Sequence, residues 1–394
     1  MNDYDVIIVG GRVAGASTAL LLARAGLRVA VLERAPVGTD TVSTHALMRA
    51  GVLQLSRWGV LPDLVAAGTP AVRSAVFHYG DGGTTRVSLR PTRGVDALYA
   101  PRRHLLDRLL VEAAVASGAD VFHETPVLGL LRSDGGRVLG VRVLGSSGAV
   151  TPVRAGLTVG ADGIASIVAR EVGAPYLSRG RFSSGILYRY VADVPSEGYV
   201  WGYGRGAAAG LIPTNAGETC VFVSATPSRM RVLRRQGVEA AFDSLLDTLP
   251  APVADLVRGG GERGRVHGWR GVPGHVRRSY GPGWALVGDA GYFKDPITTH
   301  GITDALRDAE LLADAVLASG EAATPEVALA TYQHTRDRLS QALVEVTESV
   351  CRYDWDADSI RAMLRRVSAA MSDELDCLSA RPERRPDLVH VRRA

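Results

Sequence analysis

Lysine and cysteine are both scarce in this chain of 394 residues. Lys294 is the single lysine, so arginine supplies the rest of the 45 basic side chains. The three cysteines lie far apart, without the short spacings of a metal site, so we expect no bound metal and a reducing cytoplasm. No apolar run reaches the length of a membrane span, and Asp3 and Asp5 are untypical of a signal peptide. These absences predict a cytoplasmic protein.

The charge pattern argues against a nucleic-acid partner. The net charge is +4, but no long basic block interrupts the middle of the chain. Residues 381–393 are basic, yet they also contain acids and prolines, which is typical of a solvated terminal segment. A chain of this length with 46% hydrophobic and 22% charged residues predicts two closely packed domains. The oligomeric state stays open.

The first 34 residues carry the strongest motif. A short apolar strand from Asp5 to Val9 leads into a glycine-rich turn, a helix and a second strand that ends at Glu33. This βαβ layout places a helix N-terminus against a pyrophosphate and an acidic residue against a ribose. The residues predicted to bind the dinucleotide here are Gly10, Gly11, Arg12, Gly15, Glu33 and Arg34.

Arg12 departs from this fingerprint, because it replaces the middle glycine that lets the backbone approach the phosphates. A side chain at this position crowds the ligand. Arginine can compensate through its charge, since its guanidinium suits phosphate. The complete strand, helix and strand around it favour nucleotide binding over a chance resemblance.

Two later segments each place an aspartate just after a predicted strand. Asp162 lies in Gly-Ala-Asp-Gly, and Asp289 follows Gly288 at the end of another apolar strand. Nucleotides bind at this edge of such sheets. The second segment runs on through Pro296 to Gly301 and Ile302, where a helix begins. Free amides at that helix start would stabilise negative charge on a bound ligand.

These three segments resemble the FAD-dependent monooxygenase superfamily, which is built like para-hydroxybenzoate hydroxylase and includes flavin-dependent halogenases and geranylgeranyl reductases. The resemblance runs from Asp5 to about Ala318. It implies one non-covalent FAD and NAD(P)H as the reductant. It also implies that Glu33 binds the adenosine ribose, that Asp289 binds the ribityl chain or the pyrophosphate, and that Asp162 links FAD and NAD(P)H binding. Arg103 matches an arginine that contacts FAD.

The resemblance also implies the fold, which is α/β: a Rossmann-like FAD-binding domain with an inserted β-sheet substrate domain and a helical C-terminal region. The expected bounds are 1–73, 100–180 and 270–320 for the FAD-binding domain, 74–99 and 181–269 for the substrate domain, and 321–394 for the C-terminal helices and tail.

Particular residues distinguish the branches of this superfamily. Halogenases carry a tryptophan motif where this chain has Ala208 and Gly210, and their tunnel lysine does not correspond to Lys294. Hydroxylation of an aromatic or polyketide-like molecule through a flavin C4a-hydroperoxide is therefore the leading expectation. A dehydrogenase or reductase of the geranylgeranyl type is the alternative. A halogenase and a non-catalytic flavin-binding protein are less favoured.

Two histidines are candidates for acid–base catalysis. His45 lies in a segment that reaches the flavin in this superfamily, and His300 precedes the helix start at Gly301. Both also suit ordinary packing roles. The inserted sheet offers aromatic side chains for a small-molecule substrate, of which at least two are expected to be core residues: Tyr188, Tyr190, Trp201 and Tyr203.

Overall fold

A computed structural model describes residues 3–145, 148–196, 198–319 and 324–382 of the chain. Most of the basic terminal stretch at residues 381–393 lies outside these ranges.

The described residues form eighteen strands. In chain order they are β1 (Tyr4–Val9), β2 (Val29–Leu32), β3 (Ser74–Tyr79), β4 (Thr84–Ser88), β5 (Asp120–Phe122), β6 (Val127–Arg132), β7 (Val138–Leu144), β8 (Val150–Gly160), β9 (Tyr176–Arg179), β10 (Gly185–Ala192), β11 (Tyr199–Gly204), β12 (Ala207–Pro213), β13 (Glu218–Ala225), β14 (His267–Trp269), β15 (His275–Arg277), β16 (Tyr280–Gly281), β17 (Trp284–Leu286) and β18 (Tyr292–Phe293).

The same residues form eleven α-helices. They are α1 (Val13–Arg24), α2 (Arg49–Arg57), α3 (Leu61–Ala66), α4 (Arg103–Ala116), α5 (Ile167–Glu171), α6 (Pro227–Leu233), α7 (Val238–Leu246), α8 (Ala251–Arg258), α9 (Gly301–Ala318), α10 (Pro325–Val350) and α11 (Ala357–Ser379).

The first sheet has a parallel centre. Strands β17, β8, β1, β2 and β5 lie side by side in that order and all pair in parallel. The buried run of β1 packs on both faces, as parallel strands do. Val6 and Ile8 contact the core beneath α1 and α9, whereas Ile7 and Val9 contact the opposite cluster. The parallel pairing puts the carboxyl ends of all five strands at one edge of the sheet.

Strand β8 takes part in two different pairings along its eleven residues. Its first half pairs antiparallel with β7, and its second half pairs in parallel with β1. The direction of pairing therefore changes from antiparallel to parallel within one continuous strand.

The second sheet has seven strands in the order β14-β10-β13-β12-β11-β3-β4. One face packs on α7 and α8, and the other face carries most of the aromatic residues of the chain's second hydrophobic core. All seven strands fall within residues 74–99 and 181–269. We propose that this second sheet forms the substrate domain and that the first sheet belongs to the FAD-binding domain.

The observed architecture is the expected α/β arrangement with a second sheet inserted into the first unit and helices at the C-terminal end. Helices α10 and α11 pack on each other, and α11 also contacts α2. Helix α2 begins at Arg49, shortly after the segment that carries His45.

Candidate active site

A cavity of about 730 Å³ opens at the carboxyl edge of the parallel sheet. Its volume lies in the range of small-molecule and cofactor sites. Residues after β1, β2, β8 and β17 line it, together with the start of α9. It therefore collects the three sequence segments that were expected to bind a nucleotide.

Glycines let the first two segments touch backbone to backbone. Gly10 has a φ of +103°, and a Cβ atom there would lie 2.5 Å from the carbonyl oxygen of Ala161. A Cβ atom on Gly15 would lie 1.8 Å from the oxygen of Gly10. These contacts exclude any side chain, so both glycines serve the close packing of the turn.

Arg12 fits the turn without backbone strain. It is the N-cap residue of α1, with φ −85° and ψ −165°, an extended conformation that any residue adopts. No side chain caps the start of α1, so the first amides of that helix are free to meet an anion. The Arg12 side chain lines the cavity beside them. The turn thus offers both a helix N-terminus and a guanidinium to phosphate.

Glu33 is tied to the turn by two backbone amides. Its carboxylate accepts hydrogen bonds from the N–H groups of Gly11 at 2.7 Å and Ala35 at 2.8 Å. A Cβ atom on Gly11 would approach the Cβ of Glu33 to 3.1 Å, so a glycine suits that position. Each carboxylate oxygen keeps capacity for a second donor. Glu33 and the exposed Arg34 both line the cavity.

Arg103 and Asp107 form an ion pair on the first turn of α4. The distance from Arg103 Nη2 to the carboxylate is 3.0 Å, and the Arg103 side chain lines the cavity. Burial raises the pKa of Asp107, against the opposing charge of Arg103. The pair fixes the direction of the guanidinium toward the cavity.

Asp162 has one bonded and one free oxygen. Its Oδ2 atom accepts a hydrogen bond from the amide of Ile167 at 2.6 Å, next to the start of α5. Its buried Oδ1 atom has no partner among the described residues. Burial raises the pKa of this carboxyl group. A buried oxygen of this kind in a cavity wall is a group that a bound ligand can satisfy.

Asp289 and the start of α9 form the far wall. Burial raises the pKa of Asp289 to about 6, although Lys294 and Arg103 oppose the shift. Thr299 adopts a left-handed conformation with φ +49°, which turns the chain into α9. Gly301 is exposed to the cavity, and no side chain caps the helix there. Pro296 and Ile302 lie beside it in the wall.

His45 does not line the cavity, although its neighbours Ser43, Thr44 and Ala46 do. Its side chain is buried, and its Nε2 atom lies 2.5 Å from the hydroxyl of Tyr190. Burial, helped by the charge of Arg103, lowers the pKa of His45 to about 3. The imidazole is therefore neutral at physiological pH.

His300 also turns away from the cavity. Its Nε2 atom lies 2.6 Å from Oε2 of Glu374 on α11, and both side chains are buried. Asp304 completes a group whose ligand atoms lie within 4.8 Å of one another. Arg307 already pairs with both carboxylates, at 3.1 Å and 3.0 Å. We infer that this group is an ion network of the chain's own side chains.

Of the four aromatic substrate candidates, Tyr188 lines the cavity. Tyr190, Trp201 and Tyr203 belong to the aromatic core of the second sheet. Trp201 packs edge to face on Tyr199 with ring centroids 6.1 Å apart.

The cavity wall also contains side chains that the sequence did not single out. Trp269 and Phe293 contact each other with ring centroids 6.4 Å apart, and the buried indole nitrogen of Trp269 has no partner among the described residues. Lys294 and Asp304 line the wall close to Asp289. The one available signal was that Lys294 is the only lysine.

The family model described as an FAD binding domain matches residues 3–347. This chain belongs to that family. The flavoprotein is 26% identical over 407 residues to the digeranylgeranylglycerophospholipid reductase of Methanosarcina mazei, which covers 96% of this chain and 93% of the reductase.

Two solved structures are similar to the flavoprotein over nearly its whole length. PqsL, a probable FAD-dependent monooxygenase from Pseudomonas aeruginosa, is 25% identical with a TM-score of 0.74, covering 94% of this chain and 99% of PqsL. The myxobacterial chondrochloren halogenase CndH is 19% identical with a TM-score of 0.79, covering 95% of each chain, and shows the fold alone. The flavoprotein is therefore an FAD-dependent oxidoreductase of the monooxygenase superfamily.

The residues of the cavity fit FAD. The glycine contacts of the first turn, the uncapped starts of α1 and α9, and the residues Arg12, Arg103 and Asp162 surround one space of sufficient size. Within the described ranges, no helix has the length and apolar character needed to cross a membrane.

Proposed function

We propose that this enzyme is an NAD(P)H-using monooxygenase that hydroxylates a compact aromatic or polyketide-like molecule. The observation that carries the proposal is the aromatic end of the cavity. Tyr188, Trp269 and Phe293 line it together with Ile186, next to the segment that follows Asp289. Aromatic walls with few polar groups suit a planar substrate.

The chain's own residues would hold the cofactor along the sheet edge. The start of α1 and Arg12 would bind the pyrophosphate, and Glu33 the adenosine ribose. Arg103, Asp162 and Asp289 would bind the middle of the cofactor, and the start of α9 with Pro296 would face the flavin ring. When bound, FAD would supply hydride acceptance and oxygen activation.

Polar groups at the aromatic end would orient the substrate. The indole N–H of Trp269 is the strongest candidate, because it is buried, lies in the wall and lacks a partner among the described residues. An unpaired buried donor costs free energy that a substrate oxygen would recover. Burial raises the pKa of Tyr188 to about 12, so its phenol stays protonated and remains a donor.

His45 and His300 would position other residues of the site and would not act as acid–base catalysts. Neutral His45 would hold the hydroxyl of Tyr190 and so the loop of Ser43 and Thr44 against the cavity. His300 would support the start of α9 through Glu374. Neither would exchange a proton with substrate directly, because neither side chain lines the cavity.

Similarity to PqsL supports a small aromatic substrate, since a structure of that protein holds 2-aminobenzoylacetate. The name of the Methanosarcina mazei relative supports the second candidate, a reductase that adds hydrogen to an isoprenoid double bond. The aromatic wall favours the first candidate, because aromatic rings match a planar ligand better than a long flexible chain.

The deciding experiment follows atoms into product under labelled dioxygen. A hydroxylase reduced by NAD(P)H raises the product mass by one oxygen atom that carries the label. A gain or loss of two hydrogens without label would show the reductase or dehydrogenase instead. NAD(P)H should reduce the flavin slowly alone and much faster with substrate. Reduction that requires a separate flavin reductase would contradict the single-component part of the proposal.

A further inference from the structure

Lys294 is buried in the wall of the FAD cavity, and it is the only lysine of the chain. Its side chain is 4% exposed, and its ammonium forms an ion pair with Asp304 on the first turn of α9. A flexible, strongly hydrated lysine is costly to bury. The other 44 side chains that are cationic in water at pH 7 are arginines, which stay charged when buried, whereas burial brings the ionisation of a lysine toward neutral pH.

Lys294 also separates the cavity from a second, smaller pocket. That pocket has a volume of about 20 Å³, which is enough for about one water molecule, and His275 and Glu348 line it with Lys294. The Nε2 atom of His275 is buried there without a partner among the described residues. A water in this pocket would satisfy the imidazole.

Charged groups surround Lys294 from several elements. Asp304, Arg307 and Asp308 lie on α9, and Glu374 approaches from α11 in contact with His300. Asp289 faces the lysine from the end of β17. Burial, together with Arg307, lowers the pKa of Lys294 to about 7, although the three acids Glu374, Asp289 and Asp308 oppose the shift.

We infer that Lys294 is a charge-compensating residue for the flavin, which Asp304 holds in place so that its ammonium offsets the negative charge that two-electron reduction adds to the ring. In that reaction a dihydronicotinamide gives up a hydride and becomes a nicotinamide cation, and the flavin gains one negative charge. A Lys294 side chain that is charged before the hydride transfer keeps its proton during the transfer. The inference depends on FAD binding but not on whether the later reaction is hydroxylation.

The charge relation works in both directions. If the ammonium stabilises the reduced flavin, then the reduced flavin stabilises the ammonium by the same factor and raises the pKa of Lys294. Reduction above neutral pH therefore brings one additional proton to the lysine. Each such proton steepens the pH dependence of the midpoint potential by about 30 mV per pH unit, which is one tenfold change for a two-electron couple.

The single lysine allows a direct test in the wild-type holoenzyme. Protein labelled with ¹³C only in lysine gives one ε-carbon signal, and the chemical shift of this signal reports ionisation of the amine. We expect its apparent pKa to rise by at least one unit when dithionite reduces the flavin. An identical titration in the oxidised and reduced holoenzyme would overturn the inference, and no variant needs to fold for that result.

Two substitutions test the same point through the flavin. Lys294→Met should lower the preference for reduced over oxidised FAD at least tenfold, which lowers the midpoint potential by about 30 mV. Lys294→Arg should retain the potential at pH 7 and lose the additional pH dependence, because arginine does not titrate. Arg231→Met on the exposed face of α6 is the control for loss of one positive charge. A wild-type potential in Lys294→Met would contradict the inference, even if oxygen transfer to substrate is confirmed.

Discussion

The imidazole of His300 lies 2.6 Å from the carboxylate of Glu374 and so joins the start of α9 to the C-terminal half of α11. Both side chains are buried, and Arg307 binds the second oxygen of the same carboxylate at 3.0 Å. The helix whose N-terminus faces the FAD cavity is thereby attached to the last described helix. Substitutions far along the chain can consequently act on the cofactor site.

Glu374→Gln should destabilise the protein by about 3–5 kcal/mol at pH 7, because it removes one of the buried carboxylates that balance the charge of Arg307. Burial would raise the pKa of Glu374, but His300 and Arg307 outweigh it and lower the value to about 2. A lowered pKa adds stability above the ordinary value near 4.5, and that stability is lost as the pH falls toward 2. Urea denaturation at several pH values measures the effect.

The difference between Glu374→Gln and wild type should therefore be largest at neutral pH and shrink below about pH 4.5. Glu345→Gln on the exposed side of α10 serves as the matched control and should change stability by less than about 0.5 kcal/mol. Equal, small losses in the two variants would refute a stabilising role for the Glu374 carboxylate.

Arg12→Gly should keep FAD better than Glu33→Ala does. Glycine at position 12 restores room beside the phosphates, and the backbone of Arg12 needs no special conformation. Alanine at position 33 leaves a ribose unpaired and also frees the amides of Gly11 and Ala35. A hydrogen bond to a charged group contributes about 1.5–3 kcal/mol, so Glu33→Ala should weaken FAD binding about 10- to 100-fold.

Flavin fluorescence titration of the apoproteins gives both dissociation constants. If Arg12→Gly releases FAD while Glu33→Ala binds it normally, the proposed position of the phosphates is wrong.

Gly15→Ala should impair folding, whereas Gly301→Ala should leave it nearly unchanged. A methyl group at position 15 meets the carbonyl of Gly10 at 1.8 Å, whereas a methyl group at position 301 has no heavy atom within 4 Å. We expect Gly15→Ala to lose FAD and stability together. Gly301→Ala should fold within about 0.5 kcal/mol of wild type, yet shift the flavin potential because its methyl group enters the cavity.

Thermal unfolding and photoreduction with a redox dye measure the two properties. A Gly301→Ala variant with unchanged FAD affinity and unchanged potential would remove the start of α9 from the flavin site.

The FAD should be non-covalent. Cys220, Cys351 and Cys377 are absent from the residues that line the cavity, and burial raises the pKa of the Cys220 thiol to about 12. Acid precipitation should release all the flavin to the supernatant. Yellow colour retained in the washed pellet would contradict this prediction, and a Cys220→Ser variant would then identify or exclude that thiol as the attachment point.

The sequence by itself determined the features that depend on short stretches of chain. The turn from Gly10 to Gly15 and the acids after β1, β8 and β17 follow from local glycine geometry and strand pattern, and parallel strands bring their ends to one edge. The FAD-binding fold and the family were therefore predictable before any coordinates, and both are confirmed.

Only the tertiary structure decided which side chains face the cavity. Tyr188 and Tyr190 lie two residues apart on the same face of β10, but the loop that carries His45 contacts the hydroxyl of Tyr190, and only Tyr188 reaches the cavity wall. His300 contacts Glu374, 74 residues further along the chain. Such directions depend on packing between distant segments, because a local pattern specifies the backbone and the buried face but not the partner across that face.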